Sequence, residues 1–107
     1  MADELEQISD ALDEAMEAIY ARIGWRSLPF EERQKLSETL RNMFDAQLRL
    51  TIASVDQVSG EAADIVAALR EATAVARSRA DKLNGTRRAI EQAGTIVTRI
   101  IDLIPFG

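Results

Sequence analysis

Apolar positions recur at helical spacing through almost the whole chain. From the amino terminus they fall at Leu5, Ile8, Leu12, Ala15, Ile19 and Ile23, steps of three or four that draw one stripe down a helix over 2–23. Gly24 can take the left-handed conformation that ends helices, and Pro29 lies a few residues beyond it. Pro29 at a first helical position, followed by Glu31 and Glu32, reads as a second helix start, because acids favour the positive end of the helix dipole.

The second helix, over 29–58, has the widest apolar face. Phe30, Leu36, Leu40, Met43, Phe44, Leu48, Leu50, Ile52, Val55 and Val58 cover an arc of about 200°, with Glu31, Lys35, Glu38, Asn42, Asp45, Arg49 and Asp56 opposite. Such a face needs two neighbours. Ser59-Gly60 punctuates its end, a helix unbroken through Gly60 being the alternative. A third helix over 61–83 follows on Ala62, Ile65, Val66, Leu69, Ala72, Ala76, Ala80 and Leu83, and its many alanines allow close approach.

Asn84-Gly85 would end that helix, and Thr86 would cap a fourth over 87–104 that stops at Pro105. Its inner face is Ala89, Ile90, Ala93, Ile96, Val97, Ile100, Ile101 and Ile104. The run from Thr95 to Ile101 is β-branched enough for a strand on propensity alone. The helix is preferred because Arg88, Glu91, Thr95, Arg99 and Asp102 share one outer side, and a lone strand would have no partner.

Four helices on short connectors predict an all-α fold: an antiparallel up-and-down four-helix bundle forming one domain over 1–107. Leu40, Phe44, Leu69, Val97 and Ile100 are the expected core positions. The second helix outreaches the others, so part of its face must be covered. Either the connector folds back, with Trp25, Leu28 and Phe30 as plugs, or a second copy supplies the cover.

Composition narrows the chemistry. At 47% hydrophobic residues, the 107-residue chain has enough apolar matter for a core. It has no Cys and no His, which excludes disulfides, thiol nucleophiles, imidazole bases and the usual zinc, haem and iron–sulfur ligand sets. Di-metal carboxylate bundles also need His, and there is no glycine-rich phosphate loop or nucleophile elbow. The expectation is a non-enzymatic protein with no cofactor and no metal.

The amino terminus is acidic where an export signal is basic, and the longest apolar stretch falls far short of the ~20 residues that span a membrane. A cytoplasmic location is therefore expected, which the lack of Cys also suits. Asn84-Gly85-Thr86 matches a glycosylation sequon but reads as a plain turn without export.

Charge is distributed unevenly. Asp3, Glu4, Glu6, Asp10, Asp13, Glu14 and Glu17 give seven acids and no base in the first 20 residues, including like charges four apart that cost helix stability. Asp3, Glu6, Asp10, Asp13, Glu14 and Glu17 form a candidate partner-binding ridge, against the plain alternative of a solvated, solubilising face. Arg77, Arg79, Lys82, Arg87 and Arg88 gather around the turn between the third and fourth helices, a second candidate contact that could equally serve the helix dipole. Trp25 and Phe30 are candidate aromatic contacts, against a role as core caps.

With a net charge of -5 and no aromatics interleaved among the bases, nucleic acid is a poor partner. The fourth helix is amphipathic but carries too little basic charge for strong membrane attraction. The expected function is a helical protein–protein interaction module, a self-associating subunit or adaptor. The alternative is a small acidic inhibitor of the immunity-protein type, which such proteins resemble in size and charge only, binding a basic toxin or enzyme. A peripheral membrane protein is a lesser alternative.

Overall fold

The computed structural model describes residues 3–22, 28–78 and 82–105, with the backbone only for Arg22, Lys82, Leu83, Asn84 and Thr86. Helix accounts for 88% of the described residues, and none is in a strand. The described residues form five helices, α1 (Glu4–Arg22), α2 (Phe30–Ile52), α3 (Val55–Val58), α4 (Ala62–Arg77) and α5 (Lys82–Leu103).

Local chemistry accounts for most of the ends. Asp3 stands just before α1, and its Oδ1 accepts the Glu6 N–H at 2.8 Å, satisfying one of the orphan donors of the first turn. Pro29 precedes α2, and its carbonyl accepts the Arg33 N–H at 3.0 Å. Gly60, with φ 86°, takes the left-handed conformation that a side chain would resist, and the chain turns there into α4. The β-branched run from Thr95 to Ile101 is helical, because Val97 and Ile100 gain full burial on the inner face of α5.

Two boundaries differ from the sequence expectation. The second helix does not run to Val58 but breaks at Ala53, which is extended at ψ 153°. Ser54 then starts α3, with its N–H donated to Gln57 Oε1 at 2.9 Å. The third helix ends at Arg77 rather than 83, and Asn84-Gly85 lies inside α5 rather than between helices. Asn and Gly are tolerated there because first-turn N–H groups lack intrahelical partners, so poor helix propensity costs least.

The break at Ala53 changes the packing. Along an unbroken helix, residues 53–61 would lengthen α2; here they cross the end of the molecule, α3 resting on α1, and deliver the chain to α4. α4 packs on α1 and α5, while α2 packs chiefly on α5 and only lightly on α1. Glu32 pairs with Arg87 at one end of α2 and α5, and Arg49 reaches the Ile104 carbonyl at the other, so these two neighbours run parallel.

Directions thus alternate along the chain, and α4 and α5 pack as a consecutive antiparallel pair, but α1 packs chiefly on α4 and α2 on α5, parallel neighbours that a simple up-and-down arrangement would set on its diagonals. Buried residues from all five helices meet in one cluster, including Ile8, Leu12 and Ile19 of α1, Met43 of α2, Val58, Ile65 and Leu69 of α3 and α4, and Val97 and Ile100 of α5. The alanines Ala11, Ala15, Ala18, Ala72 and Ala76 are buried on α1 and α4, where small side chains permit close contact. The principal extents are 41 × 27 × 17 Å, a thin body in which α2 has one broad neighbour instead of two.

Candidate functional site

That single broad contact leaves much of the wide apolar face of α2 uncovered. Leu36, Met43, Ala46 and Leu50 are buried, but Phe30, Phe44, Leu48 and Ile52 are 59% to 64% exposed, and Val55 follows at 41%. Phe44, Leu48 and Ile52 are four residues apart and form a line along the carboxyl-terminal half of α2, while Phe30 stands at the other end of the helix beyond Ser37 and Arg41, and Val55 belongs to α3 past the break at Ala53. Phe44 was expected in the core and is not there. Half of its arc faces solvent because α1 packs too lightly to cover it.

The stripe opens sideways into a groove between α1 and α2. Tyr20, 68% exposed, faces Phe30, Leu36 and Leu40 there, with Arg33, Gln34 and Ser37 completing a space of about 550 Å3. Arg33 stands with its guanidinium 6.0 Å from the Phe30 ring centroid, a cation–π distance. Its Nε is buried with no hydrogen-bond partner. Below the groove Asp13 of α1 accepts a hydrogen bond from Gln47 of α2, so the two helices run antiparallel along this edge.

The predicted acidic ridge divides between two roles. Asp3 is the cap of α1. Glu6, Asp10, Asp13, Glu14 and Glu17 are exposed, and none of them forms an ion pair among the described residues. Steps of four, three, four and three place Glu6, Asp10, Asp13, Glu17 and then Tyr20 along one line, which Asp13 fixes beside α2. Glu14 falls off that line. The acids therefore border the apolar stripe, a relation the sequence could not show because it depends on how α1 sits against α2.

The predicted basic turn is only partly brought together. Arg77 ends α4, and Arg87 and Arg88 are exposed on α5, but Arg87 is committed to Glu32 of α2. Arg79 and the Lys82 side chain lie outside the described residues, as does Trp25. Phe30 is exposed, as a contact residue requires. Sequence reasoning missed Leu48, Ile52 and Val55 as surface residues. The signal for the break that ends α2 and starts α3 was present in Ser54-Val55-Asp56-Gln57, a capping-box spacing.

Among the described residues no group of three or more His, Cys, Asp or Glu side chains could hold a metal ion. No described helix is long and apolar enough to cross a membrane. Comparison with known protein families, curated proteins and solved structures finds no match.

Proposed function

We propose that this chain is a non-enzymatic, cytoplasmic interaction module whose four longer helices form a bundle completed by self-association. The observation that carries the reading is the exposed line of Phe44, Leu48 and Ile52 on α2. Soluble proteins seldom leave so long an apolar stripe uncovered, and aromatic anchors in such stripes supply much of the energy of association. Sedimentation equilibrium at tens of micromolar tests it. The unmodified chain should be a dimer or larger, and Leu48→Asp, a change at an exposed position, should return it to monomer with its helical circular dichroism intact.

A second reading is favoured by one feature. The exposed acids Glu6, Asp10, Asp13 and Glu17 lack ion-pair partners among the described residues, as the surface of an acidic inhibitor of a basic protein would. A monomer in the same sedimentation run would move the assignment to that class. The membrane-surface reading has less support, because the apolar face of α5, with Ala89, Ile90, Ala93, Val97 and Ile100, is buried against the other helices.

A further inference from the structure

We infer that the groove between α1 and the amino-terminal half of α2 is a site for a small amphipathic monocarboxylate, its carboxylate held by Arg33 and its apolar body lying along Leu36 and Leu40. This goes beyond the self-association reading, which concerns the other half of α2. The space of about 550 Å3 falls within the ~300–1,000 Å3 of small-molecule pockets. Its walls also have the make-up of such pockets, aliphatic and aromatic side chains with a few polar groups that orient what enters. Tyr20 of α1 stands across from Phe30, Leu36 and Leu40 of α2, and the light packing between the two helices leaves the groove open.

Arg33 supplies the specificity. Among the described lining residues it alone is charged, and it forms no ion pair with any described residue. Its Nε is buried without a hydrogen-bond partner, a cost that a bound acceptor relieves. The helix neighbours three and four positions away are Pro29, Phe30, Leu36 and Ser37, none of them a carboxylate. The Phe30 ring, 6.0 Å from the guanidinium, offers a weak cation–π contact and no hydrogen bond. The acids nearby are directed elsewhere. Glu32 pairs with Arg87, and Glu31 lies about 160° around the helix from Arg33. Glu17 of the acidic ridge lies level with Met43, about 15 Å along the axis from Arg33, by the register that Asp13 and Gln47 set. A ligand anion is therefore favoured at the Arg33 end, with the apolar body directed towards Leu40.

The same chemistry restricts the ligand class. A guanidinium presents parallel N–H donors that match a carboxylate in a two-point contact. One such group neutralises one negative charge, whereas a phosphate monoester, at about -1.5 to -2 at pH 7, would leave charge against Phe30, Leu36 and Leu40. Ser37, one turn along from Arg33, adds a hydroxyl donor. Leu40 lies about 10 Å beyond Arg33 along the axis, room for a short alkyl chain or a ring.

Octanoate below its micelle concentration is the probe, with octanamide as its uncharged match and octylammonium as its opposite, each followed by chemical-shift titration of the isotope-labelled full chain. Octanoate should bind with a Kd of about 1 mM or below, a modest demand for a molecule of its size, and at least about ten-fold tighter than either match. The shifts should concentrate at the amides of residues 33–40. Arg33→Gln should weaken octanoate by about 10- to 150-fold, with its helical circular dichroism intact, and Arg33→Lys should fall between. Leu48→Asp, about 12 Å beyond Leu40, should bind octanoate as the unmodified chain does. Equal affinity of the unmodified chain for octanoate and octanamide, or no octanoate binding at about 5 mM, overturns the site without use of any variant. Loss of binding in Leu48→Asp would move the ligand to the line of Phe44 and Ile52, and co-sedimentation with phosphatidylglycerol vesicles in place of octanoate binding would make Arg33 a membrane contact; either also overturns it. None of these readouts depends on the sedimentation result, so self-association stands or falls separately.

Discussion

The guanidinium of Arg49 in α2 donates to the Ile104 carbonyl oxygen at 2.9 Å, just past the end of α5 and 55 residues away in sequence. It also approaches the Ile101 carbonyl at 3.4 Å and pairs with Asp45 at 3.2 Å. The last carbonyls of a helix have no intrahelical donors and carry its negative pole, so a cation from a neighbouring helix both caps α5 and locks it to α2.

Removing that cation should therefore cost more than a surface charge. Arg49→Ala is expected to lower stability by about 1.5 to 3 kcal/mol, the range for hydrogen bonds to a charged group. Urea denaturation followed by circular dichroism measures it. A loss under about 0.5 kcal/mol would mean that water replaces the guanidinium at these carbonyls without penalty.

Two glycines should respond oppositely to the same change. Gly60→Ala places a side chain in the left-handed region with nothing within 4 Å to collide with, so the cost is backbone strain alone, about 1 to 2 kcal/mol. Gly94→Ala lies within α5, where the new Cβ would meet only Thr39 Oγ1 at 3.7 Å, an ordinary contact. It should stabilise the protein by about 0.5 to 1 kcal/mol through helix propensity. Thermal melts of the two variants should therefore move in opposite directions, and a fall for Gly94→Ala would show that α5 cannot accept the extra methyl group against Thr39.

Leu69 and Phe44 separate folding from association. Leu69 is fully buried at the centre of α4, and Leu69→Ala should cost about 2 to 5 kcal/mol by transfer and cavity terms. Phe44 is exposed, so Phe44→Ala should change the stability of the isolated chain by no more than about 0.5 kcal/mol while weakening self-association. Denaturation at submicromolar concentration, paired with sedimentation at tens of micromolar, distinguishes the two effects. Equal losses of stability would return Phe44 to the core.

Ion pairing at the exposed ends should matter little. Arg87 with Glu32 and Arg99 with Glu61 make contacts across the surface, and each arginine side chain is more than 40% exposed. Arg87→Gln should shift the urea midpoint by the equivalent of at most about 1 kcal/mol, and less at 1 M salt. A larger loss would make this contact, rather than the buried cluster, the fastening between α2 and α5.

The sequence by itself determined the helical class, because period-3.6 burial is a local property: Ile8, Leu12, Ala15 and Ile19, or Ala89, Ala93, Val97 and Ile100, fall inside wherever their helices pack. It also carried the stop at Gly60, whose positive φ belongs to the residue itself. The tertiary structure decided how far each apolar arc is used. The arc of α2 was legible, but whether Phe44, Leu48 and Ile52 lie in a core or at a surface depends on whether a second helix covers them, and that was settled by the break at Ala53 sending the chain across to α4. The same crossing placed α1 lightly against α2 and brought Glu6 and Asp10 to the border of the stripe, relations between residues dozens of positions apart that no local pattern encodes.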